Sequence, residues 1–195
     1  MGRISQTALL AGAALAASCA PQARLVQGSL DAGEGYRVQL GRTWSDVTPI
    51  MVDRTRNVRV LSVDGPHLNR LYLAGAVRAG DPIVRAMRRE QPTPVFRADM
   101  TDTELVEFVT DSIAALGYQR PEATNLRPGT LAGVEGVRFE VTTQTPEGLA
   151  YDGTSLVARQ GESLHLMLYL APREHYYGTL AQEVETIFAS AALSE

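Results

Sequence analysis

The stretch SLHLMLYL, from Ser163 to Leu170, decides the fold. Its leucines at every second position alternate with His165, Met167 and Tyr169, which is the period-two pattern of a β-strand. One face is entirely leucine and the other is apolar or aromatic apart from the histidine. Because such a strand must be covered on both sides, it predicts an α+β protein with a central antiparallel sheet flanked by helices, an α/β/α sandwich.

The segments around this strand predict the rest of the sandwich. Strand patterns at Val134–Thr143 and Leu149–Arg159 precede it, and tight turns at 146–148 and 160–162 join the three strands into an antiparallel meander. The segment Thr179–Ser190 follows with an apolar stripe at helical spacing, which predicts an amphipathic C-terminal helix.

A second helix is predicted in the middle of the chain. Thr101 and Glu104 have the spacing of a capping box, apolar residues then recur at helical spacing, and Gly117 follows Leu116 as a stop signal. A shorter helix is expected to begin at Asp81-Pro82, because proline is favoured at a first helical position.

Three arginines, Arg85, Arg88 and Arg89, would then lie near the end of that shorter helix. There they would complement the helix dipole, or else contact a partner or an anionic lipid.

The first half of the domain is predicted to be β-structure. Tyr36–Leu40 alternates as an edge-like strand and leads into a turn that carries Trp44. Val58–Val63 and Leu71–Val77 are separated by Asp64-Gly65-Pro66, a strong turn signal, and so indicate a hairpin.

This order of elements, with Trp44 in the first part and the segment Gly133–Phe139 in the meander, resembles the Mog1/PsbP-like fold, including its bacterial lipoprotein members. The resemblance spans about residues 36–190. It implies a protein that acts by binding, and it supplies no catalytic residue that could be carried over to this sequence.

The N-terminus has the layout of an export signal. Arg3 is its only charge, and an apolar run from about Ala8 to Ala17 ends just before Cys19, the single cysteine of the chain. Leu15-Ala16-Ala17-Ser18-Cys19 resembles the lipobox of bacterial lipoproteins, in which the cysteine receives a diacylglycerol and becomes the new N-terminus, although alanine stands at position 16 where leucine is usual. Ordinary signal cleavage to a soluble periplasmic protein is the alternative.

These signals divide the chain into three parts. Residues 1–18 are predicted to be a cleaved lipoprotein signal peptide, 19–35 a lipidated N-terminus and flexible tether, and 36–195 a single α+β domain. The expected location is a bacterial membrane, facing the periplasm. Ala20 is not the aspartate that resembles an inner-membrane retention signal, which favours the outer membrane.

Charge and motifs narrow the function. The net charge of −4 argues against a nucleic-acid partner. The three histidines, His67, His165 and His175, have no metal-ligand spacing, and no nucleophile elbow or phosphate loop is present, so we expect no metal, no cofactor and no enzymatic activity.

Two sets of residues are candidates for binding. The segment between the last strand and the last helix gathers residue types that are enriched in protein interfaces: Arg173, His175, Tyr176 and Tyr177. The alternative is that the tyrosines only pack the helix entrance while His175 caps it. The second set would line the concave side of the sheet: Tyr151, Asp152, His165 and Tyr169.

The two sets correspond to two hypotheses. The first is an envelope protein that binds or helps to assemble a protein partner without catalysis. The second is a periplasmic small-ligand-binding protein or an unrecognised hydrolase, and it requires a cleft of several hundred cubic ångströms beside the second set.

Overall fold

The computed structural model describes residues 22–51, 55–88 and 90–194. Within them the chain forms nine strands in one sheet and two α-helices. The strands are β1 (Arg24–Asp31), β2 (Tyr36–Asp46), β3 (Val58–Ser62), β4 (Arg70–Arg78), β5 (Gln119–Leu131), β6 (Val134–Gln144), β7 (Ala150–Gln160), β8 (Ser163–Pro172) and β9 (Ala192–Leu193), and the helices are α1 (Asp102–Ala115) and α2 (Gly178–Ala189).

Strand β8 lies in the middle of the sheet, as its sequence predicts. The strand order is β1-β2-β3-β4-β8-β7-β6-β5, with β9 added to β2, and every pairing is antiparallel. The leucines of β8 pack into one core together with α1, whereas Met167 and Tyr169 pack into a second core together with α2. The predicted sandwich, with both faces of an antiparallel sheet covered by helices, is therefore confirmed.

Helix α1 covers the first face. Thr101 caps it through a capping box, in which the Thr101 backbone N–H donates to Glu104 Oε2 at 2.8 Å and Glu104 N–H donates to the Thr101 hydroxyl at 3.4 Å. Its apolar stripe, which includes Leu105, Phe108 and Ile113, is buried against the sheet. The predicted bounds, Thr101–Leu116, match the helix and its two caps.

Helix α2 covers the second face, where it packs against strand β2. Trp44 is fully buried there, and its indole N–H donates to Glu183 of α2 at 2.9 Å. Trp44 was expected in a turn, but β2 continues to Asp46 and contains it. Strand β2 was also expected at an edge, whereas it pairs with β1, β3 and β9.

The prediction of a flexible tether up to residue 35 is wrong from Arg24 onward. Residues 24–31 form β1, which pairs with β2. Val26 and Leu30 face the second core at even spacing, but the glycine, serine and glutamine between them weaken the period-two pattern in the sequence. The folded part of the chain therefore begins before residue 36.

The turn between β1 and β2 closes tightly on the middle of the sheet. A Cβ at Gly75, in the bulge of β4, would lie 2.0 Å from the Ala32 carbonyl oxygen, and a Cβ at Gly35 would lie 2.6 Å from the His165 ring. The Tyr36 hydroxyl donates to the Leu166 carbonyl at 2.8 Å. The first hairpin is thus part of the core.

Two further segments differ from expectation. The segment after Asp81-Pro82 is an irregular loop rather than a helix. Its two ends are held together by hydrogen bonds from Gly80 N–H to Phe96 O and from Phe96 N–H to Asp81 O. Strand β5 was not predicted. It is an edge strand with two prolines, two register shifts and mostly exposed side chains, so it carries no apolar alternation.

Candidate functional site

The four residues expected to line one cleft do not share a face. Tyr151 packs into the core on the α1 side, whereas Tyr169 packs into the core on the α2 side. Asp152 follows Tyr151 directly and so points to the opposite face, because neighbouring residues of a strand alternate. Of the four, Tyr151 lines a cleft of about 600 Å³.

His165 is a structural residue of the second face. It is 1% exposed, its Nδ1 accepts the Ala76 backbone N–H at 3.2 Å, and its Nε2 lies 3.1 Å from Gln160 Oε1. This pairing requires the neutral ring with the proton on Nε2. Burial lowers the pKa of His165, which keeps the ring neutral.

The segment predicted to bind a partner forms an irregular turn, Arg173–Tyr177, between β8 and α2. Tyr176 and Tyr177 are half-buried against the second core, and Tyr177 stacks on Tyr169 with 5.6 Å between ring centroids. The two tyrosines therefore pack the helix entrance. His175 does not cap the helix with its side chain; its carbonyl instead accepts from the Thr179 hydroxyl.

The outer part of the same turn stays exposed. Arg173 pairs with Asp152 at 2.9 Å, and Glu174 and His175 face solvent. His175 has a φ of 70°, which is uncommon for a residue with a side chain. A partner-binding role for these residues stays a prediction.

A cleft of about 600 Å³, here called the tyrosine cleft, opens beside the end of α1. It opens where the end of α1, the β3–β4 hairpin, the β6–β7 turn and the loop Asp81–Phe96 meet. Its lining residues come from all four segments: His67, Arg70, Met87, Arg88, Gln91, Ala114, Leu116, Gly117, Tyr118, Gln119, Thr145, Pro146, Glu147 and Tyr151.

Two tyrosines form the floor of the tyrosine cleft. The rings of Tyr118 and Tyr151 meet edge to face with 5.0 Å between centroids, and the Tyr151 hydroxyl donates to the His67 carbonyl at 2.7 Å. Burial raises the pKa of both phenols, and the positive charge of Arg70 partly opposes this. Both hydroxyls are therefore neutral at physiological pH and can donate or accept hydrogen bonds.

Arg70 is held at the same floor. Its Nε donates to the Pro66 carbonyl and its Nη1 donates to the Tyr72 hydroxyl at 3.1 Å. These contacts fix the plane of the guanidinium group beside the two phenols. A guanidinium fixed in this way is suited to bind a carboxylate or a phosphate, because less side-chain entropy is lost on binding.

The tip of the loop Asp81–Phe96 forms one rim of the tyrosine cleft. Ile83 and Val84 are buried near the start of the loop, while Met87, at 70% exposed, and Arg88 project at its tip. The Met87 N–H donates to the Ala115 carbonyl at 3.0 Å and so ties the tip to the end of α1. The rim is thus anchored by both its base and its tip.

A second depression, of about 940 Å³, lies between the start of α1 and the β5–β6 hairpin. Its charged lining residues are balanced, with Asp102 and Glu135 opposite Arg127 and Arg159. Arg159 already donates to the Ala98 carbonyl at 2.8 Å, and Arg127 donates to the Asn125 carbonyl at 3.0 Å. The balanced charges and the arginines already bonded to carbonyls do not select a ligand chemistry here.

Sequence reasoning named two residues of the tyrosine cleft, Tyr151 as a ligand-lining residue and Arg88 as one of three arginines that would complement a helix dipole or else contact a partner or an anionic lipid. The missed floor residues, Arg70 and Tyr118, lie far apart in the chain and meet only through the sheet order. One local signal was available, since Tyr118 follows the stop glycine of α1, a position that commonly holds a side chain turned back on the helix end.

Neither a metal cluster nor a membrane span is found in the described parts of the chain. Across residues 22–51, 55–88 and 90–194, no three histidine, cysteine, aspartate or glutamate side chains come together as metal ligands. No helix in these ranges is long and apolar enough to cross a bilayer.

Comparison with known proteins gives a fold and no family. No protein-family model and no curated protein matches the sequence. The mycobacterial protein LpqN, described as involved in cell envelope biogenesis of Mycobacterium tuberculosis, gives a TM-score of 0.38 at 10% identity over 92% of this chain and 88% of that chain, a likeness too weak to carry an argument.

The cyanobacterial PsbP protein (CyanoP) of Synechocystis sp. PCC 6803 is structurally similar. Its solution structure gives a TM-score of 0.53 at 13% identity, covering 94% of this chain and 98% of that chain. Identity this low carries no function from one protein to the other. This chain therefore has a PsbP-like fold, as the order of its predicted elements indicated.

Proposed function

We propose that this chain is an exported envelope protein, anchored to a membrane through a lipid on Cys19, and that it acts by binding a partner or ligand rather than by catalysis. The observation that supports binding is the tyrosine cleft. Its volume, about 600 Å³, falls in the range of ligand sites, and fixed polar groups lie at its floor between apolar walls.

The anchor rests on the sequence alone, because Cys19 lies outside the described residues. The structure adds one constraint to it. Cys19 is five residues before Arg24, the first residue of β1, and five extended residues span at most about 18 Å. A lipid on Cys19 would hold the domain close to the bilayer, nearer than a tether up to residue 35 would.

Replacing the cysteine tests the anchor. We expect Cys19→Ala to leave the membrane fraction or to remain as an uncleaved precursor, while the domain from Arg24 onward keeps its fold, since no described core residue precedes Val26. Fractionation, intact-mass measurement and circular dichroism check this. A variant that stays membrane-bound at the mature mass, or a wild type without acyl mass, contradicts the proposal.

Recovery of a bound molecule tests the binding function. The wild-type protein is purified from detergent-solubilised membranes after gentle crosslinking, and what comes with it is identified by mass spectrometry. We expect a bound protein or small molecule that is lost in Met87→Glu, because that change puts a carboxylate into an apolar wall of the cleft.

Val95→Glu is the matched control for this experiment. Val95 is 41% exposed on the same loop and does not line the cleft, so its variant should keep the bound molecule. A co-purifying protein supports an assembly or partner-binding role, and an extracted small molecule supports the ligand-binding alternative. Recovery of the wild type alone, or equal recovery with both variants, counts against the proposal.

A further inference from the structure

Positive charge collects at the tyrosine cleft, although the whole chain has a net charge of −4. Arg70 and Arg88 line it, and Glu147 is the single carboxylate among its described lining residues. Arg88 is exposed at the rim and forms no ion pair with any residue in the described ranges. Arg88 therefore offers a positive charge to an anion at the rim of the cleft.

Arg88 does not stabilise a helix end, although the sequence pattern predicted that it would. Its segment was predicted to be helical, and a cation near a helix end would then stabilise the helix dipole. The segment is instead an irregular loop, so that stabilisation is absent. The loop instead places Arg88 at the rim of the tyrosine cleft, which Arg70 also lines.

The positive field of Arg70 reaches the floor. Burial raises the pKa of Tyr118 and of Tyr151, and the charge of Arg70 lowers both against that larger effect. The two phenolic oxygens are therefore within the field of the guanidinium group. The Tyr151 hydroxyl proton is already donated to the His67 carbonyl, so an anion in the cleft would be held by arginine rather than by the phenols.

The walls of the tyrosine cleft are apolar. Met87 is 70% exposed, and its sulfur lies against Gly117, where an added Cβ would come within 3.2 Å of it. Leu116, Pro146 and the Tyr118 ring complete the walls. Methionine sulfur and tyrosine rings make favourable contacts with flat apolar groups.

We infer that the tyrosine cleft binds an organic carboxylate with an aromatic or apolar body, the carboxylate directed to Arg88 and the body held between Met87 and Tyr118. This inference rests on the proposed binding function and adds the ligand class. The same chemistry occurs in a free aromatic acid and at the C-terminus of a protein that ends in an aromatic residue.

Calorimetric titration of the full-length protein in a non-ionic detergent tests this inference. The probes are phenylacetate and its neutral analogue phenylacetamide, together with a short peptide ending in phenylalanine as the free acid and as the amide. We expect at least one acid to bind. Its amide should have a dissociation constant at least about tenfold higher, because a charge-assisted contact is lost.

The variants locate the contact. Arg88→Gln should raise the dissociation constant of the acid about tenfold and reduce its dependence on salt, whereas Arg85→Gln, an exposed arginine on the same loop that does not line the cleft, should change neither. Binding of phenylacetate indicates that a small acid suffices, and binding of the peptide acid alone indicates a chain terminus.

Two results would overturn the inference in different ways. Equal affinity for acid and amide, or an unchanged constant in Arg88→Gln, rejects the carboxylate while the cleft remains a binding site. No binding of any probe, together with loss of the co-purified molecule in Met87→Glu, rejects this ligand class and keeps the proposed function. No binding of any probe and no co-purified molecule rejects both.

Discussion

The two faces of the sheet each carry a pair of tyrosines, and the pairs differ in what lies in front of them. Tyr118 and Tyr151 meet at 61° on the α1 face, with an open cleft before them. Tyr169 and Tyr177 stack at 24° on the α2 face, where the turn Arg173–Tyr177 and helix α2 close over them. The same residue type thus supports a cavity on one face and fills one on the other.

This difference shows that the loops, more than the strands, decide which aromatic residues remain open to a ligand. On the α2 face the chain passes from β8 straight into α2 through Arg173–Tyr177, where the last two residues, Tyr176 and Tyr177, pack inward. On the α1 face a long loop approaches the end of α1 and stops short of the tyrosines. We therefore expect changes on the α2 face to affect stability and changes on the α1 face to affect binding.

The largest expected effect separates the two faces by side-chain truncation. Tyr169 is fully buried, so Tyr169→Ala should lower the free energy of unfolding by about 3–5 kcal/mol, as for other buried aromatic residues. Tyr118→Ala, at a half-buried position beside open space, should cost about 1–2 kcal/mol. Urea unfolding followed by circular dichroism measures both, and equal losses would remove the distinction between the faces.

An intermediate effect concerns pH and the α2 face. The folded-state pKa of His165 lies below the usual value of about 6.5, so the unfolded chain binds more protons between the two values. The contribution of the neutral ring is complete above about pH 6.5, falls as the pH decreases below it, and levels off below the folded-state pKa.

Chemical unfolding at a series of pH values checks this prediction. His165→Gln cannot titrate, so the wild type should lose more stability than this variant as the pH falls from about 7 to about 5, whatever the variant's own stability. Comparison of the two slopes removes the part due to carboxylates. If the stability of the wild type and of the variant fell equally with pH, protonation of His165 would not contribute to the acid sensitivity.

The smallest expected effect removes single hydroxyl groups. The Tyr169 hydroxyl donates to the Tyr176 carbonyl at 3.2 Å, so Tyr169→Phe should cost about 1 kcal/mol of stability. Tyr118→Phe keeps the ring at the cleft floor and should change stability by less than Tyr169→Phe. Thermal unfolding of the two phenylalanine variants, side by side, measures the difference, and a larger loss for Tyr118→Phe would reverse the comparison.

The parts of the fold that could be predicted are those with one strong local pattern. Strand β8 shows a complete alternation, and α1 shows its capping box and stop glycine. Strands β1 and β5 lie at the two ends of the sheet and bury few side chains, so their polar sequences carry little signal. The apolar pair Ile83 and Val84 fits a helix equally well and anchors a loop instead.

The candidate site was harder to predict, because it is built from segments that meet only in the folded chain. Tyr151 was chosen for its neighbours in a strand, and alternation placed the other three chosen side chains, Asp152, His165 and Tyr169, on the opposite face from it. Arg70 and Tyr118 became visible only once the sheet order brought β4 and the end of α1 to one cleft.

The contact between the first hairpin and β8 also sets an order of events during synthesis. The Tyr36 hydroxyl bonds to the carbonyl of a residue 130 positions further along, and Gly35 lies against the His165 ring. Contacts of such long range form late, since the intervening chain must be present first. If the chain is exported from its N-terminus as we propose, the residues around Cys19 would reach the far side of the membrane well before the domain can close, and they would be open to processing enzymes during that interval.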